Sequence, residues 1–77
     1  MAGAKGSILE RMAVTAADLK RQLAADPADA FKIHLLGMMD ASFRTQRADA
    51  LAIRDRRAQQ DDADSRAIVA YLDGLLC

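Results

Sequence analysis

Residues 23–29 read Leu23-Ala24-Ala25-Asp26-Pro27-Ala28-Asp29, and this stretch decides how the chain is divided. Pro27 disfavours helical backbone at Asp26, yet it suits the first turn of a new helix, where its missing N–H is no loss. The run therefore predicts that one helix stops near Ala25 and a second starts at Pro27 with Asp26 as its cap. On the N-terminal side, Leu9, Met12, Ala16, Leu19 and Leu23 recur at three- and four-residue steps, the stripe of a helix over about residues 8–25. Ser7 and Glu10 have the spacing of a capping box at its start, and residues 1–6 ahead of them are expected to be disordered.

On the C-terminal side, a second apolar stripe runs through Phe31, Leu35, Met38, Met39 and Phe43, widened by Ile33 and Leu36. Beyond Phe43 the pattern thins: between Arg44 and Ala67 the only large apolar residues are Leu51 and Ile53. Ala48, Ala50, Ala52 and Ala58 offer small side chains for close helix approach in that polar half. With no Gly or Pro to end this helix, charge is the guide. Arg54, Arg56 and Arg57 suit a helix C-terminus, whereas Asp61, Asp62 and Asp64 suit the next N-terminus, because each complements the macrodipole there. The second helix is thus expected over 27–59 and a third over 62–73, carrying Ile68, Tyr71, Leu72 and Leu75 and stopping at Gly74. The result is an all-α fold, a small helical hairpin or three-helix arrangement forming one domain over residues 1–77. Helix 1 folds back on the first half of helix 2, and the polar second half is left for helix 3 or a partner.

Composition narrows the functional classes. Of the 52% of residues that are hydrophobic, seventeen are Ala, which favours helix but adds little area to a core. Two Phe, one Tyr and no Trp are available as large anchors in 77 residues, and cores of this size supply only about 3–5 kcal/mol without a disulfide, a metal or association. One Cys allows no internal disulfide, so association is the expected supplement. Eleven basic and eleven acidic residues cancel, giving no long-range pull towards nucleic acid or an anionic membrane. No apolar run is long enough to span a bilayer, and Met1 to Ser7 lacks the apolar stretch of a secretory signal, so the cytoplasm is the expected compartment. A preference for Arg over Lys and Asp over Glu, with abundant Ala, suggests a high-GC bacterial or phage genome.

No constellation calls for chemistry. Asp62, Asp64 and Asp73 fall at positions one, three and twelve of a calcium loop, but Arg66 and Ala67 stand where an oxygen ligand and a Gly are needed. Helix capping is the better account of these acids. His34 is the only histidine, Glu10 the only glutamate and Cys77 the only thiol, so neither a zinc site nor an acid–base pair is expected, and His34 is read as partly buried or interfacial. Neither an enzymatic activity nor a cofactor, metal or small-molecule substrate is expected. Gly37 interrupts a strong helix at a cost of about 1 kcal/mol relative to Ala, and beside Met38 and Met39 it either packs on helix 1 or lets another helix approach.

These readings converge on a non-enzymatic protein–protein interaction or assembly protein, self-associating or clamping a protein partner, with Phe31, Leu35, Met39, Phe43, Tyr71, Leu72, Leu75 and Leu76 as contact residues. The competing reading is a nucleic-acid-associated protein in which Arg44, Arg47, Arg54 and Arg57 meet phosphates. At 100° per residue these four spread over about 140° and are joined by Asp40, so a solvated, salt-bridged face is the first expectation. The order Leu23-Ala24-Ala25, Asp26-Pro27-Ala28-Asp29, then Met38, Phe43 and Arg47 resembles the hairpin of type III secretion needle subunits over about residues 19–53, which implies a secretion-apparatus subunit. Needle subunits end soon after that stretch, whereas this chain continues through an acidic break into a third apolar helix.

Overall fold

The computed structural model describes the backbone of residues 3–77 and the side chains of residues 8–77. Its architecture is all-α: helices α1 (Gly3–Ala25), α2 (Ala30–Thr45), α3 (Arg47–Ala58) and α4 (Ala63–Leu76) account for most of the described residues. α1 ends where the Asp-Pro turn predicts. It begins earlier than expected, however, at Gly3. Ala4 and Lys5 are good helix formers and extend the pattern backwards. The Ser7–Glu10 pair therefore lies within the helix and is no cap, while Met1 and Ala2 fall outside the described residues.

The turn that follows corrects the expected start of the second helix. α2 begins at Ala30, not Pro27, and its cap is Asp29, whose carboxylate accepts the backbone N–H of Lys32 at 3.1 Å. Both Asp26 and Asp29 are capping residues; the one followed by an uninterrupted helix-forming run, Asp29, takes the position.

The expected single helix over 27–59 is divided at Gln46, where φ is −106° and ψ is 45°. No Gly or Pro causes the break. Instead, Thr45 Oγ1 donates back to the carbonyl of Ala41 at 3.0 Å and Gln46 Nε2 donates to Ser42 Oγ at 3.1 Å, and local bonding of this kind bends helices. The kink leaves the backbone paired, because the Gln46 N–H reaches Ser42 and the Gln46 carbonyl accepts from Ala50. α3 then ends at Ala58 with Arg56 and Arg57 in its last turn, and α4 is capped by Asp62, which accepts the Ser65 N–H at 3.0 Å. The break at Gln59–Asp61 falls where the charge switch predicts it. Gly74 does not stop α4, which runs on to Leu76, and Arg47 Nη1 donates to the Leu76 carbonyl at 2.6 Å, satisfying one of the unpaired acceptors at that end.

The core gathers Leu9, Ala13, Ala16 and Ala17 of α1, Phe43 of α2, Ala50 and Ile53 of α3, and Ile68, Tyr71, Leu72 and Leu76 of α4. α4 is its centre, packed chiefly against α3 and α1, and α1 also packs against α2 as the hairpin reading expects. The Ala face of α1 is what lets α4 come close. Of the four alanines expected to permit close approach in the polar half, only Ala50 is buried; Ala48, Ala52 and Ala58 face solvent. Phe43 meets Tyr71 edge to face, with ring centroids 5.8 Å apart, a favoured aromatic geometry.

Candidate functional site

The residues singled out for contact divide into two groups. Phe43, Tyr71, Leu72 and Leu76 are buried in the chain's own core and are unavailable to a partner, which corrects their assignment as contact residues. The three other helices all pack against α4, so most of its apolar stripe is consumed internally. Met39 and Leu75 are half-buried at the edge of the same core. Phe31 remains in solvent, 74% exposed, with Leu35 half-buried beside it.

The arginines proposed for phosphate contact are mostly engaged within the chain. Arg57 is only 17% exposed: its Nη2 donates to Glu10 Oε2 at 2.8 Å and its Nη1 to Ser65 Oγ at 3.2 Å. Its Nε is shielded from solvent with no hydrogen-bond partner among the described residues. Arg56 reaches the other oxygen of Glu10 at 2.5 Å, so one carboxylate on α1 clamps two guanidinium groups on α3. The hydrogen bond from Arg56, helped by Arg57 and opposed by burial, holds the Glu10 carboxyl below its usual pKa. Arg54 pairs with Asp55 and Asp73, each at 3.0 Å, and Arg47 is tied to the end of α4. Arg44 is exposed. The salt-bridged face expected here exists, but long-range partners on α1 and α4 build it.

Sequence reasoning missed Glu10, read as a capping residue, although a signal was present. Arg56 has no acid three or four residues away on either side, so an ion pair to it could only come from elsewhere than its own helix face. It also missed the Tyr71 hydroxyl, which donates to the Asp40 carboxylate and joins α4 to α2. Burial, then this hydrogen bond, raises the Tyr71 pKa and keeps the phenol neutral.

What remains unsatisfied is α2. At 100° per residue, the sector running from Gly37 through Ala30, Ala41, His34, Thr45, Met38, Phe31 and Ser42 to Leu35 covers about 160° and holds no Asp, Glu, Lys or Arg. Most of it is exposed, including Met38 at 57%. His34, read as partly buried or interfacial, is exposed within this sector. A Cβ built on Gly37 meets nothing within 4 Å, so that glycine is not required by packing on α1.

No family model, curated protein or solved structure matches this chain. The face must therefore be read from its own chemistry. Among the described residues no group of three or more His, Cys, Asp or Glu side chains lies close enough to hold a metal ion, and no helix is long and apolar enough to cross a membrane. A shallow hollow between α1 and α4, lined by Ala17, Ala24, Ala67, Ala70 and Tyr71, is also largely apolar, but Lys20 and Arg21 line it too.

Proposed function

We propose that this chain is a non-enzymatic interaction or assembly protein that docks through the outward face of α2. The observation that carries the reading is the uncharged sector of that helix, with Phe31 and Met38 held in solvent by a fold that buries the apolar residues of α4. An exposed aromatic beside a Met on a rigid helix is the kind of anchor that fills a groove on a partner. Gly37 and Ala41 between them leave room for a second helix to lie close. Engagement of Arg47, Arg54 and Arg57 within the chain favours this reading over phosphate recognition. A cytoplasmic bacterial or phage accessory protein, inhibitor or assembly factor fits the composition.

Placing a photo-activatable side chain at Met38 and irradiating in the native host tests the proposal. A discrete cross-linked product that disappears in Phe31→Glu, yet persists in Val14→Glu on α1, is the expected result. Labelling that ignores Phe31→Glu would refute the docking role of α2.

A further inference from the structure

We infer that the break at Gln46 is a hinge, and that when it straightens the chain exchanges halves with a second copy of itself. Between Phe43 and Ala50 the sequence holds no Gly or Pro. α2 and α4 each start on an aspartate whose side chain accepts a backbone N–H, whereas α3 starts at Gln46 with no side-chain cap. The Thr45 and Gln46 side chains bond to residues four places back, which bends a helix without ending it. Nothing in the residues around the break therefore forbids a single helix over 30–58. The core fixes the bend, drawing in Phe43 on one side of it and Ala50 and Ile53 on the other. A connection of one residue between two packed helices is short enough to invite domain swapping.

A straight helix over 30–58 is about 43 Å long, against 38 Å for the longest axis of the bent molecule. Straightening swings α1 and α2 away from α3 and α4. It parts the packing of α1 on α4 and the contact of Phe43 with Tyr71, uncovering apolar surface on both halves. A second straightened copy covers that surface with the residues that cover it in the single chain. Glu10 of one copy then meets Arg56 and Arg57 of the other, and Asp40 of one meets Tyr71 of the other. No new complementarity is required, and two-fold symmetry makes every contact twice. Each chain also gains a regular helix through Gln46. The exchange needs no contact at the outward face of α2, so it stands apart from the docking reading.

Refolding the full chain from denaturant at about 0.5 mM and at about 5 μM, followed by sedimentation velocity, tests this. The wild type should give a dimer fraction at the higher concentration and monomer alone at the lower. Gln46→Ala puts a better helix former at the hinge and should raise the dimer association constant about threefold. Inserting Gly-Gly after Gln46 lengthens the connection, and should leave a monomer with the same helical circular dichroism at both concentrations. Charge complementation separates exchange from association of intact surfaces. Glu10→Arg and Arg57→Glu each set like charges between α1 and α3 of one chain. Refolded together at the higher concentration, they should form a one-to-one heterodimer with a Tm above that of either alone, because Arg at position 10 of one copy meets Glu at position 57 of the other. Monomeric behaviour of both wild type and Gln46→Ala at the higher concentration, a dimer undiminished by the Gly-Gly insertion, or a mixture without heterodimer overturns the proposal.

Discussion

In α4, Ile68 and Leu72 are fully buried and Tyr71 and Leu76 nearly so, whereas in α2 the only large side chain to reach that state is Phe43, and Phe31 and Met38 stand in solvent. Both helices are rich in large apolar residues, so composition does not separate them. Their position does. α4 lies against α1 and α3 and touches α2, while α2 meets the rest of the molecule along one side. α2 also carries more apolar surface than one side can hide. Leu36, Met39 and Phe43 form the stripe that is used, and beyond the break at Gln46 the same core takes in Ala50 and Ile53 of α3. Phe31, Leu35 and Met38 form a second stripe with no counterpart inside the chain. Apolar residues at helical spacing thus fix that a helix will be buried somewhere, but how closely its neighbours pack along it decides how many of its faces are.

The comparison breaks most visibly at its two phenylalanines. Phe43→Ala removes a fully buried ring in edge-to-face contact with Tyr71, at an expected cost of about 3–5 kcal/mol. That is of the order of the whole stability of a domain this size, so chemical denaturation should find the variant largely unfolded at 25 °C. Retention of a cooperative transition near that of the wild type would show that α2 is not anchored through Phe43.

A smaller effect is expected at Glu10, which holds α3 to α1 away from the apolar core. Glu10→Gln should cost about 1–2 kcal/mol, because it removes the countercharge of the poorly exposed Arg57 while most of the shape is kept. The pH dependence has a definite sign. The folded-state pKa of Glu10 lies below its unfolded value, so the unfolded chain binds more protons as pH falls through the ordinary carboxylate range. The stabilisation is complete above about pH 5 and is lost as the pH drops through the folded value. Denaturant midpoints measured between pH 7 and 3 should fall less steeply in Glu10→Gln than in the wild type; parallel curves would mean that the clamp contributes nothing.

How far these regions were legible in the sequence follows from the range of the interactions involved. The Asp-Pro turn and the Arg-to-Asp switch at residues 54–64 act within a few residues, and both breaks appear where local chemistry puts them. The kink at Gln46 is also local, but Thr45 and Ser42 are neutral enough in a helix that only their side-chain bonds reveal it. The division of α2 into a used and an unused stripe was illegible for another reason. Phe31 and Phe43 are both apolar residues at helical spacing, and which of them is covered depends on where α1 and α3 sit. The arginines follow the same rule: their assignment as a surface feature failed for Arg57 because its partner Glu10 lies forty-seven residues away.

On the exposed side of α2 the expected effects are small, and their signs carry the information. Gly37→Ala adds a methyl group to open space in a helix interior, so it should stabilise the isolated fold by about 0.5–1 kcal/mol. Thermal melts at micromolar concentration and below should show a raised Tm. A lowered one would mean that the Gly37 backbone is already crossed by something the isolated fold does not contain.

Phe31→Ser is the smallest change and the most discriminating. A ring that is 74% exposed adds little to the folded state of a single molecule, so at low concentration the substitution should shift stability by less than about 0.5 kcal/mol. Its counterpart Phe43 fails that condition by nearly an order of magnitude, although both are Phe on one helix. If the exposed stripe of α2 is a docking face, the cross-link from Met38 in the host should be lost in Phe31→Ser while the low-concentration Tm is kept. Loss of stability at every concentration would instead place Phe31 within the fold of the single chain, and the contrast between the two stripes of α2 would disappear.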